Sequence, residues 1–366
     1  MPLSKNYVIP ALLLAILHYS HGSYEEVLTV GRSGTLRYQP TELTSDQVRS
    51  FAVLSDPQNL RQTVQRIAVE RVVGTPGHAA VRDYITATLK ALGWHVKLDI
   101  FNGQVPILGS VTFHNIVAKL NHKARRYLML GCHYDSKYFE QSEYVGATDA
   151  AVSCALMLNM AQVLQKQLAD LRRAEISLLF VFFDGKEAVG SWSDEDSSLY
   201  GSRHLAQRIY ERNQLDSIDL FVLLNHIGAK GASFYSHIPT TLGWYQRLVQ
   251  MEKKLSRAGL LKAHRSYFHF IARDDPRDDH VPFLNHQVPV VHLMAKDSLQ
   301  LHHKVTDVAD RVDYDSTEQV ALVIRLFILE YLLSASISSG SNLSAQLLPI
   351  LGLAMALLSM AALCLS

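Results

Sequence analysis

Leu178 to Trp192 reads Leu-Leu-Phe-Val-Phe-Phe-Asp-Gly-Lys-Glu-Ala-Val-Gly-Ser-Trp, an apolar run of strand length broken by Asp184-Gly185. A run apolar on both alternating faces is a central strand with helices over each side, and Asp-Gly ends it in a tight turn. Lys186 and Glu187 then stand just outside the carboxyl end of that strand, where open α/β sheets bind ligands. The rest of the chain must supply the other layers of such a sheet.

It does so in alternation. Leu60, Val64, Ile67 and Ala68 recur at helical spacing within Asp56 to Val72; after Gly74-Thr-Pro-Gly77, Val81, Tyr84, Ile85, Leu89 and Leu92 form the face of a second helix closed by Gly93. Strands are expected over Trp94 to Phe101, Val111 to Leu120, Tyr127 to Gly131, Ile176 to Phe183, Leu220 to Leu224 and Val288 to Leu293. Helices are expected over Ala150 to Leu164, Ser202 to Arg212, Leu242 to Ala258 and Thr317 to Leu333. The pattern predicts an α/β fold: a single doubly wound domain, 56–333, with a mixed, mostly parallel central sheet and helices on both faces.

The flanks differ from this domain. Residues 1–22 carry Lys5, an apolar core from Val8 to Leu17 and then small residues, the layout of a secretory signal peptide, with a buried first helix as the alternative. Residues 23–55 read as an irregular lead-in. Residues 334–346 are a small, polar spacer before the apolar tail 347–366, which predicts a glycolipid anchor, with a single membrane span as the alternative. The expected location is the secretory pathway, ending secreted or on the extracellular face of the plasma membrane. Of three cysteines, Cys364 lies in the tail, which leaves Cys132 and Cys154 as an even pair in an oxidising compartment, and a bridge between them is expected, with two buried free thiols as the alternative. The formal charge of +1 is scattered along the chain and leaves no basic footprint for nucleic acid.

Several expected strand ends finish on groups that ligate metals or move protons. His133 and Asp135 follow one, with Asp149 beyond; Asp184, Lys186 and Glu187 follow the central strand; Asn225 and His226 follow a third; His302 and His303 lie past the last, and Asp278-Asp279-His280 just before it. Carboxylates and imidazoles drawn from distant positions to one sheet edge suit a borderline divalent ion such as zinc.

These residues sit in motifs that resemble the glutaminyl-peptide cyclotransferases, a branch of the zinc aminopeptidase superfamily. Cys132-His-Tyr-Asp-Ser-Lys-Tyr-Phe139, Gly146-Ala-Thr-Asp149, Phe183-Asp-Gly-Lys-Glu-Ala188, Leu199-Tyr-Gly-Ser-Arg-His204, Asp278-Asp-His-Val-Pro-Phe283 and Val288-Pro-Val to His292-Leu293 occur in the family order, over about Asp56 to Leu333. The resemblance implies one Zn2+ ion held by Asp149, Glu187 and His303, the last chosen over His302 because Asp307, Asp310 and Asp313 follow it at the family spacing. It also implies a Cys132–Cys154 disulfide, a pocket Trp at Trp192, and an assisting carboxylate at Asp279. Peptides or proteins with an N-terminal glutamine are the implied partners, and the implied reaction closes that residue to pyroglutamate with release of ammonia.

Two positions depart from the family pattern. Lys186 stands where the family has a proton-shuttling Glu, and Asn225 where it has a second assisting Asp. A lysine keeps its proton up to a pKa of about 10.4, and loss of a general base costs roughly 10²- to 10⁴-fold. Slow or absent turnover is therefore expected, with a solvated Lys186 ammonium turned away from the metal. The alternatives are a catalytically inactive zinc-binding surface protein that engages peptide N-termini or a protein partner, and a zinc aminopeptidase.

Overall fold

The computed structural model describes residues 41–171, 175–189, 197–262, 265–273, 276–295 and 301–338. The segments foreseen as signal peptide and apolar tail, and Trp192, lie outside these residues, as does most of the spacer. The central sheet has six strands in the order β1-β2-β4-β3-β5-β8. They are β1 (His95–Val105), β2 (Gly109–Lys119), β3 (Arg126–His133), β4 (Ile176–Phe183), β5 (Ile218–Asn225) and β8 (Val290–Met294). β1 and β2 form an antiparallel hairpin, β2 joins β4 antiparallel, and β4, β3, β5 and β8 run parallel. This is the mixed, mostly parallel, doubly wound α/β domain that the alternation predicts.

The buried side chains show why. Along β4, Leu178, Phe180 and Phe182 enter one core, with Val64 of α2 (Pro57–Ile67), Val81 and Ile85 of α3 (Pro76–Ala91), Met157 of α4 (Val152–Val163), Leu248 of α7 (Leu242–Arg257) and Ile324 of α9 (Tyr314–Ser338). Leu179, Val181 and Phe183 enter the opposite core, with Leu205 of α6 (Tyr200–Glu211) and Phe283 of α8 (Val281–Asn285). Period-two alternation thus splits one continuous apolar run between two faces. The short helix α5 (Gln165–Asp170) completes the crossover from β3 to β4.

Helix starts follow their caps. Asp56 accepts from Asn59 N ahead of Pro57, and Thr75 accepts from His78 N ahead of Pro76. Two elements depart from the sequence reading. Ser45–Ala52, inside the stretch expected to be irregular, is a helix, α1, set by a reciprocal Thr44–Gln47 capping box and by Val48 in the core. Phe234–Ser236 and Phe268–Ala272 pair as a two-stranded sheet, β6 and β7, too short to show an alternating pattern. No helix of the described residues is long and apolar enough to cross a membrane.

The helix after β3 packs on one face of the sheet and the helix after β4 on the other, so a crevice opens between the carboxyl ends of these neighbours. The turn leaving β4 is tight: Gly185 has φ +65°, and a Cβ there would lie 2.3 Å from the Phe113 ring. Gly185→Ala is expected to lower stability by roughly 2–5 kcal/mol, from ~1–2 for left-handed backbone and ~1–3 for overpacking. Thermal or denaturant unfolding measures it; a Tm equal to wild type would show that the turn yields.

Candidate metal centre

Three strand ends and two loops meet in the crevice. Asp149 lies in a single π turn, Ala147–Ala151, between β3 and α4. Gly146, with φ +46° and the Asp149 carbonyl 2.2 Å from where its Cβ would be, lets the backbone fold back on itself there. Arg71, fully buried, donates to the carbonyls of Gly146 (2.9 Å), Asp149 (3.3 Å), Val69 (3.1 Å) and Val145. From the other side Asp307 accepts from the amides of Thr148 (2.9 Å) and Asp149 (3.2 Å). The Tyr144 hydroxyl donates to Asp149 Oδ2 at 3.1 Å.

The turn after β4 is held by Asp135, which accepts from the amides of Lys186 (3.1 Å) and Glu187 (2.9 Å). Asp184, grouped in the sequence with the ligand-type residues, faces away. Its carboxylate meets His78 Nε2 (2.7 Å) and accepts from His114 N (2.7 Å) and the Tyr134 hydroxyl (3.2 Å).

Inside this frame the side chains converge on Asp149. His303 Nε2 lies 3.1 Å from Glu187 Oε2 and 3.6 Å from Asp149 Oδ2; His302 Nε2 lies 3.9 Å from Asp149 Oδ2. His226 Nε2 is 3.6 Å and His133 Nε2 3.1 Å from Asp149 Oδ1. Two sets of ligand atoms each fall within 4.8 Å of one another: Asp149 with His226 and His302, and His133 with Asp149 and Glu187. Glu187 Oε2, His226 Nε2 and His303 Nε2 are buried atoms with no hydrogen-bond partner. Buried polar atoms left in that state are costly unless something else satisfies them, and a divalent cation does so for a carboxylate and two imidazoles together. A buried His/Asp/Glu cluster capable of coordinating a metal ion is therefore present. His226 and His303 hold left-handed backbone, φ +52° and +53°, uncommon for residues other than glycine and found where a site dictates conformation.

The electrostatics follow from the packing. Burial alone would raise Asp149, but the Lys186 ammonium and the His226 and His133 rings hold its carboxyl well below the usual range. Glu187 is likewise held low against burial by Lys186, although Asp149 opposes it. Burial pushes His226 down to about 4, leaving the neutral imidazole that a metal takes. Burial and the neighbouring Asp278 carboxylate push Asp279 up to about 8. Asn225 Nδ2 donates to Asp278 Oδ2 at 2.9 Å, and His292 Nε2 lies 3.1 Å from the same oxygen.

Two expectations are corrected here. Lys186 is not a solvated ammonium: it is 3 % exposed and its Nζ lies 2.7 Å from Glu187 Oε1 and 3.6 Å from Asp149 Oδ1. The expectation of slow or absent turnover is overturned, because the candidate metal-binding set is whole despite lysine and asparagine at 186 and 225. The ability to hold a metal depends on which donors converge in space, and neither position removes a donor from either set. Sequence reasoning passed over Arg71 and Tyr144 altogether and counted Asp307 only for spacing; Arg71 and Asp307 act on a turn 78 and 158 residues away, which no local motif signals.

Cys132 and Cys154 lie side by side as thiols with sulfurs 3.2 Å apart. The bridge expected between them is not formed in this structure. Made through an oxidising compartment, the protein is expected to resist alkylation at both positions until reduced; quantitative labelling of the unreduced, unfolded chain would count against the bridge.

A mixed α/β sheet with a buried His/Asp/Glu cluster at its topological switch point is the architecture of a metal-binding α/β class of protein, and residues 115–328 match the model of peptidase family M28. A glutaminyl-peptide cyclotransferase of Drosophila melanogaster is 41% identical over 332 residues, covering 87% of this chain and 92% of that one. A glutaminyl-peptide cyclotransferase-like protein of Bos taurus is 38% identical over 353 residues, covering 89% and 91%. The crystal structure of Macrostomum lignano glutaminyl cyclase superposes with a TM-score of 0.76 at 34% identity, covering 82% of this chain and 97% of that one. The chain belongs to the glutaminyl-peptide cyclotransferase family.

Proposed function

We propose that this protein is a metal-dependent glutaminyl-peptide cyclotransferase with one zinc ion held by Asp149, Glu187 and His303. The observation that carries the reading is the approach of two unsatisfied buried atoms, Glu187 Oε2 and His303 Nε2, to 3.1 Å of each other beside Asp149 Oδ2. Zinc bound there would act as a Lewis acid on the side-chain amide carbonyl of an N-terminal glutamine.

The chain's own residues do the rest. The substrate's α-amine nitrogen forms a bond to the side-chain amide carbon, the bond from that carbon to the amide nitrogen breaks, and ammonia leaves. A proton must pass from the attacking nitrogen to the departing one. We assign that transfer to Asp279, the assisting carboxylate of the motif, whose two oxygens are buried with no hydrogen-bond partner and whose carboxyl burial and Asp278 push up to about 8. Arg71, Asp135 and Asp307 hold the two turns that carry Asp149 and Glu187, so the donors are in place before substrate arrives. The reading extends to a secretory protein tethered at the extracellular face, supported by the apolar segments 8–17 and 347–365 with their small-residue flanks.

The test is release of ammonia from a peptide with N-terminal glutamine by the purified chain. Activity is expected with zinc, lost on chelation and restored by Zn2+. A folded, zinc-loaded protein that releases no ammonia would overturn the reading.

A further inference from the structure

The last helix runs from one edge of the sheet to the other. α9 starts at the metal edge: the Asp313 amide, just ahead of it, donates to the Gly228 carbonyl at 3.0 Å, three residues past the carboxyl end of β5. Its later turns lie at the opposite edge. Phe327 and Tyr331 pack on Trp244 with ring centroids 6.3 and 4.7 Å away, and Thr241, three residues before Trp244, donates its hydroxyl to the carbonyl of Val290, the first residue of β8. α9 thus runs against the parallel strands, and its 25 residues span about 37 Å.

Residues 41–55 follow the same helix in reverse. The Thr41 amide donates to the Ser334 hydroxyl and the Thr41 carbonyl accepts from it, both at 2.8 Å; the Leu43 amide donates to Glu330 Oε2 at 2.9 Å, and the Ser55 hydroxyl to Glu318 Oε1 at 2.7 Å. Thr41 therefore lies beside the end of α9, at the pole far from the metal. The mouth of the crevice is at the other pole, where the side chains of His302 and His303 are 31 % and 19 % exposed.

We propose that the protein stands on a bilayer by the pole opposite its metal crevice, and so acts on N-termini presented from the aqueous phase, not on those held at the bilayer surface. The inference rests on the tether reading above. The apolar segment 347–366 follows the far end of α9, and the eight residues between, 339–346, bridge at most about 29 Å when fully extended, less than the length of the helix. The flank before Thr41 joins the domain at that pole as well.

Two labels test the orientation. The full chain, made in cells that attach glycolipid anchors, is reconstituted in phosphatidylcholine vesicles carrying a lipid with a nitroxide headgroup, with a fluorophore at Thr41→Cys or at Val305→Cys. Both side chains are exposed, Thr41 meets Ser334 through backbone groups only, and Cys132 and Cys154 are buried. The probe at 41 is expected to lose most of its emission and the probe at 305, two residues past His303, to keep most of it. On a membrane-bound chain, quenching at 305 as strong as at 41 would overturn the inference and leave the tether standing; a chain that stays free of vesicles would overturn both. Turnover reads the same geometry: a glutamine peptide joined to lipid by a spacer of about five residues, roughly 17 Å extended, should react far more slowly than the same peptide in solution. Equal rates would count against the proposal.

Discussion

Asp149→Asn is expected to empty the centre of metal and to lower kcat/KM by at least about 10³-fold, the scale of several kcal/mol that metal charge stabilisation supplies. Asparagine keeps the shape and the backbone contacts to Arg71 and Asp307, so the change isolates the charge. Asp149 is the one residue common to both donor sets, and its two oxygens face His133, His226 and Lys186 on one side and Tyr144, His302 and His303 on the other. Its carboxyl is held below the ordinary range, so in the folded state it contributes stability that is present above the unfolded pKa and lost as pH falls through the folded one. The variant should therefore be less stable than wild type at neutral pH, and the gap should close in acid. Metal analysis and ammonia release measure the first effect and unfolding against pH the second; full metal retention would show that the ion sits elsewhere.

Asp279→Asn is expected to lower turnover by roughly 10²- to 10⁴-fold while raising stability at alkaline pH. Here the sign is opposite to that at Asp149. Burial and Asp278 raise Asp279 to about 8, so between an unfolded value of about 3.9 and that point the folded chain holds a proton that the unfolded chain has released. Stability then falls as pH rises through that window and levels off above it. Asparagine, which cannot ionise, removes the decline. The difference in Tm between variant and wild type should widen from pH 5 to pH 8; a constant difference would mean that Asp279 is ionised throughout and is not the proton carrier. Lost activity with a stability gain at high pH is the signature of a group kept for chemistry at the expense of the fold.

Much of this architecture could be read from the chain alone where the signal is local. β4 spans Ile176–Phe183, the bounds its apolar run and its Asp-Gly turn predict, because a strand buried on both faces needs no partner information to be recognised. The capped helices at Pro57 and Pro76 are similarly legible. The helix Ser45–Ala52 was hidden in a polar lead-in, since it is short and its apolar face is only Val48, fully buried, with Phe51 and Ala52 half-buried beside it. The positions of Asp149, Glu187 and His303 were named from motifs, but the motifs did not place Arg71, whose contact to Gly146 spans 75 residues, or Tyr144, which lies just before the Gly146-Ala-Thr-Asp149 motif and outside it.

Position 186 marks the boundary between the two kinds of knowledge. Sequence by itself determined the sheet, its two faces, the strand ends that carry donors, and the family, because each depends on a repeat or a motif a few residues long. Only the tertiary structure decided which way the Lys186 side chain points and whether the donors still meet around it. A free lysine belongs in water; this one is held in the crevice because Asp135 pins its backbone and two carboxylates face its ammonium, and those three groups come from three different segments of the chain.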